Sequence, residues 1–64
     1  MLYRIGDYAI NIKNIFYAYI LSVEIAPELS TLIIINNRGK ELVITGDYAE
    51  LKGHLRNMVD VSYV

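Results

Sequence analysis

Cysteine is absent from this chain, and histidine occurs once, at His54. Without cysteine there are no disulfides and no thiolate metal sites. A lone imidazole cannot assemble a zinc site without several carboxylate helpers at suitable spacing. No structural metal and no cofactor is therefore expected. Charge is also scarce and balanced, with six Lys and Arg against seven Asp and Glu and a net charge of −1. Partnership with DNA or RNA usually shows as a clear basic excess, so that class of partner is disfavoured. Long apolar runs are missing too. The longest, Ile15 to Leu21, is far shorter than the ~20 residues a membrane helix needs. The start, Met1-Leu2-Tyr3-Arg4-Ile5-Gly6-Asp7, has neither the basic opening nor the apolar core of a signal peptide. These absences point to a cytoplasmic protein that does not span a membrane.

What is present is a surplus of apolar side chains. At 64 residues the chain allows one domain, taken as residues 1–64, yet 55% of it is hydrophobic. A domain of about 60 residues buries only roughly 60% of the surface its unfolded chain exposes. Small domains of this kind are usually reinforced by disulfides, a metal or a partner subunit. The first two are removed by composition, which leaves the partner. A second buried face is the simplest destination for the excess.

Turn signals divide the chain into short pieces that read as strands until the last. Strands are expected at about 2–5, 8–12, 15–26, 31–36 and 41–45, and a helix at about 48–61. Gly6-Asp7 and Lys13-Asn14 mark the first two breaks. The stretch from Ile15 is rich in β-branched and aromatic residues, which suit a pleated, half-buried surface. Pro27 blocks continuation of a ladder. Asn36-Asn37-Arg38-Gly39-Lys40 reads as a hairpin loop because Asn and Gly tolerate positive φ.

Asp47, with Glu50 three residues later, gives a capping-box-like helix start. Leu51, Leu55, Met58 and Val59 fall on one helical stripe, continued by Ser62, with Leu55 near its centre. Gly53 inside the helix costs roughly 1 kcal/mol against alanine. A close approach of helix to sheet would account for it. The expected fold is α+β: an antiparallel β-meander of four to five strands with one C-terminal helix packed on one face.

Catalysis finds little support. General acid–base work needs two groups converging on one cleft, and the carboxylates Asp7, Glu24, Glu28, Glu41, Asp47, Glu50 and Asp60 sit mostly at turns and helix ends. His54 lies beside the apolar stripe, with no triad spacing around it. A deep pocket at His54 would be the observation favouring a small-ligand binder. Gly46-Asp47 places a negative charge where a phosphate would sit. No enzyme activity is expected.

Tyr17 and Tyr19 lie two apart, so they share one face of a strand. If that face is opposite the helix, they join Ile33, Ile35 and Val43 in an amphipathic patch, and exposed patches of this kind mark interfaces. The competing arrangement buries them in the monomer through a bulge or barrel closure. The first reading gives a homo-oligomeric assembly or protein-interaction module, with a homodimer as its simplest form and any further protein partner unidentified. The alternative is a small nucleic-acid-binding regulator using Arg38 and Lys40 at a hairpin tip and Lys52 and Arg56 on the helix.

The succession of a short hairpin, Asn11-Ile12-Lys13-Asn14-Ile15, a strand, a turn, Asn37-Arg38-Gly39-Lys40-Glu41 and a closing amphipathic helix resembles small bacterial β-meander-plus-helix proteins of the FlbD-like flagellar type. More loosely it resembles LytTR-type domains. The LytTR likeness implies DNA binding through basic loop residues, and this chain lacks the basic excess. No functional residue carries over from either family.

Overall fold

A computed structural model of the chain describes residues 2–62, with side-chain surroundings for residues 2–58. Five antiparallel strands and one C-terminal helix make up the expected α+β fold. β1 (Leu2–Ile5) and β2 (Tyr8–Asn11) form a two-stranded hairpin in which Ile5 faces Tyr8 and Leu2 faces Asn11. The two-residue turn between them needs a left-handed backbone, which Gly6 supplies at φ +57°. β2 stops at Asn11, before the expected Ile12. There the Asn11 side-chain oxygen accepts from the Lys13 N–H at 3.2 Å and opens a 3-10 turn, Ile12–Asn14.

That turn separates the hairpin from a second sheet of three strands in the order β3-β4-β5. These are β3 (Ile15–Leu21), β4 (Ser30–Asn36) and β5 (Glu41–Gly46). The five strands therefore form two sheets rather than one continuous meander.

β3 is also shorter than expected. It ends at Leu21, paired with Thr31, instead of running to residue 26. The cause lies in its neighbour. Before Ser30 the chain turns away into a 3-10 turn at Pro27–Leu29, so residues after Leu21 have no ladder to join. The Val23 N–H goes instead to the Ser30 hydroxyl at 3.4 Å, and the Val23 carbonyl accepts from the Ala26 N–H at 3.1 Å. At the opposite end of the sheet, Gly39 alone takes positive φ, +82°. Asn36 shapes the β4–β5 loop by a different route, its side-chain oxygen accepting from the N–H groups of Arg38 and Lys40, both at 2.9 Å.

The helix α1 (Tyr48–Ser62) leaves β5 at Gly46, where an added Cβ would lie 3.6 Å from Leu51. The Asp47 carboxylate accepts from the Ala49 N–H at 3.1 Å, as an N-cap should. Gly53 is exposed, with nothing within 4 Å of an added Cβ, so the close approach of helix to sheet expected there does not occur. Leu51 and Met58 are the buried members of the stripe, and Leu55 packs against the core half-buried. The side chains of Val59, Asp60 and Ser62 lie outside the described residues.

The core forms between the sheet and a cover made of two parts. Leu32 and Ile34 of β4 point inward, flanked in register by Ala18 and Ile20 of β3 and by Leu42 and Ile44 of β5. Leu51 and Met58 close over them from the helix. Ile5, Ile10 and Ile12 close over them from the hairpin and the turn that follows it. Burying such a side chain stabilises by about 1.5–3 kcal/mol.

Candidate interaction surface

The opposite face of the three-stranded sheet is built by strand alternation. Side chains two apart share a face, and the ladder register sets them side by side. Tyr17 faces Ile35, Tyr19 faces Ile33, and Ile33 in turn faces Val43. All five residues expected to form a patch thus lie together, on the side away from α1 and the hairpin. Leu21, Thr31 and Thr45 extend the same face at one end, and Glu41 borders it at the other.

Exposure across this face is uneven. Tyr17 is 56% exposed and Val43 51%, whereas Ile33 is 8% exposed although it stands outside the main core cluster. The Tyr17 and Tyr19 rings lie 5.4 Å apart and tilted by 38°. The centre of the face is therefore shielded by its own strand neighbours, and its margins stay open to water. Phe16 at 75% and Leu21 at 55% are more exposed than most of the expected members. Phe16 sits at a bulge between Ile15 and Tyr17. Its exposure was hidden in the sequence because regular alternation would have turned it inward.

His54 stands in a different setting. It is half-buried, and its Nδ1 lies 2.8 Å from the Tyr3 hydroxyl, which also accepts from the Asn57 amide at 3.1 Å. The arrangement that satisfies all three groups has the Tyr3 O–H donating to Nδ1. The Tyr3 and His54 rings meet edge to face at 5.7 Å. These contacts fasten the hairpin to the helix. Beside them lies an open cleft of about 390 Å³ whose lining includes Asp7, Glu50 and His54. Among the described residues no group of three or more metal-ligating side chains converges.

Arg38 and Lys40 are exposed in the β4–β5 loop, and Lys52 and Arg56 on the outward side of α1. Lys52 directs its ammonium to the Tyr48 ring, 5.9 Å from the centroid. Arg38 lines a shallow depression with Asn14, Asn36 and Asn37, and Lys40 lines a groove between β2 and β5. Neither is lined by the helical pair. Among the described residues, no helix is long and apolar enough to cross a membrane.

The chain matches no protein-family model, no curated protein and no solved structure.

Proposed function

We propose that this protein is a non-catalytic interaction module that self-associates through the outer face of the β3–β4–β5 sheet. The observation that carries this reading is the alignment of Tyr17, Tyr19, Ile33, Ile35 and Val43 in adjacent registers on the side away from the core, with Tyr17 and Val43 more than half exposed. Apolar area of this kind left in water invites association. A two-fold axis makes such a face complementary to itself. A second copy would also reinforce a domain too short to build a large core alone. The reading takes the protein as soluble and cytoplasmic, in keeping with its composition. The FlbD-like resemblance supplies no functional residue to this reading.

Light scattering over a range of protein concentrations tests the proposal. Wild type is expected to associate, and Val43→Lys, a change at an exposed position, is expected to lower the molar mass while leaving the circular dichroism spectrum intact. Equal masses for wild type and variant would remove the outer face from the account.

A further inference from the structure

We infer that β3 is a docking edge, on which a second copy of this chain lays its own β3 antiparallel about a two-fold axis, joining the two sheets into one continuous sheet. This contact is made by the backbone edge of β3 and does not require pairing of the outer faces, although Tyr17 and Leu21 border both surfaces.

β3 is a terminal strand of its sheet, and among the described residues no strand pairs with its free side. A free edge offers a row of unpaired N–H and C=O groups, and proteins normally blunt it with charge, proline, a bulge or short length. β3 runs for seven residues, Ile-Phe-Tyr-Ala-Tyr-Ile-Leu, with no charge and no proline. Its bulge at Phe16 disturbs only the first end and leaves Tyr17–Leu21 regular. The other edge is defended. β5 begins at Glu41, is bracketed by Lys40 and Asp47, and has β2 beside it across a groove lined by Ala9, Ile10 and Leu42. One edge of this sheet is protected and the other is left as a template.

The second copy is the occupant whose chemistry fits. An uncharged strand pairing with itself meets no like charge. With the axis at Tyr19, the middle of the regular stretch, Tyr17 lies across from the partner's Leu21. Tyr19 then faces its own copy across the axis, and the paired stretch 17–21 holds no charge on either side. Phe16, Tyr17 and Leu21, each more than half exposed, gain a neighbouring strand to pack against. Aromatic side chains bury roughly 150–250 Å² each when fully covered. The gain is on the order of several hundred Å² per copy, which approaches the total of about 1,000 Å² that specific interfaces reach. A weak, concentration-dependent pair is the expected result.

The chain has no cysteine, so introduced thiols report position without background. Tyr17→Cys and Leu21→Cys proteins, mixed and oxidised, are expected to form the mixed disulfide in preference to either homodimer, because an antiparallel register brings 17 to 21 and keeps 17 from 17. Light scattering of Val43→Lys, which disables the outer face two strands away, is expected to show a residual dimer. A Val43→Lys protein that is folded and monomeric, or a mixture without preference for the 17–21 disulfide, would overturn the edge contact and leave the outer-face reading standing. A residual dimer carrying the 17–21 disulfide, with wild type no larger, would support the edge and overturn the face. A monomeric wild type at tens of micromolar would overturn both.

Discussion

Leu32 and Ile34 point toward the helix and the hairpin, while Ile33 and Ile35, their neighbours along the chain, point away. Side-chain chemistry does not distinguish the two pairs. Leu32 is 0% exposed and Ile34 4% because segments from both ends of the chain close over them. Ile33 reaches nearly the same burial with no layer above it among the described residues, in register between Tyr19 and Val43. The inner face is thus closed by tertiary structure, and the outer face is only roofed by its own margins. Burial of one residue does not make a face a core. What matters is whether the residues around it are covered as well, and Tyr17 and Val43 are not.

Mutations on the two faces should separate them most sharply. Leu32→Ala is expected to cost about 2–5 kcal/mol, through lost transfer energy and the cavity left behind. Val43→Ala, at dilutions where the chain is monomeric, should stay within about 0.5 kcal/mol. Urea midpoints check the pair, and comparable shifts would show that the faces are equally closed. Loosening the cover should act next. Asp47→Ala removes the acceptor for the Ala49 N–H and is expected to cost about 0.5–2 kcal/mol, with hydrogen exchange rising at Leu32 and Ile34 as the helix start frays.

Tyr3→Phe probes the other half of the cover. It deletes the hydroxyl shared by His54 and Asn57 and should cost about 0.5–1.5 kcal/mol. If the hairpin is held by Ile5, Ile10 and Ile12 alone, thermal melts of this variant will match wild type. The smallest effect runs the other way. Gly53 is exposed on the helix with open space around it. Gly53→Ala should therefore stabilise by about 0.5–1 kcal/mol, tightening the inner side without touching the outer one. Destabilisation in calorimetry would mean that the glycine serves a contact on that surface.

Much of this arrangement is legible in the sequence because it rests on short-range rules. Two-residue periodicity puts Tyr17 and Tyr19 on one face. The same alternation separates Leu32 from Ile33 and Leu42 from Val43, and the ladders then bring the members of the patch into line. Asp47 announces the helix, and Gly6 and Gly39 announce their turns. What stayed hidden depends on neighbours distant in the chain. Residues 22–26 carry strand-like alternation, yet the ladder stops because β4 does not begin until Ser30. Leu55 shares a stripe with Leu51 and Met58, but its burial depends on how the helix lies against the sheet, and it ends half-buried. The division into two sheets follows the 3-10 turn Ile12–Asn14, which the Asn11 side chain opens and the Ile15 N–H closes onto the Ile12 carbonyl. Whether a second molecule covers the outer face is not written in alternation at all, since the same pattern would suit a closed barrel.

The Tyr3–Asn57 hydrogen bond joins residues 54 positions apart, and this has a kinetic consequence. The β3–β4–β5 ladders link neighbours in sequence, so they can zip together locally, whereas the cover must gather both ends of the chain. Closing a loop of that length costs entropy that grows only slowly with length, but it must be spent before the contacts that reward it form. The expected order is meander first and seam last. Substitutions at Tyr3 and His54 should then quicken unfolding while leaving refolding nearly unchanged, and substitutions in β4 should slow refolding. Until the seam closes, both faces of the meander are equally open, and only the arrival of the two chain ends gives the sheet an inside.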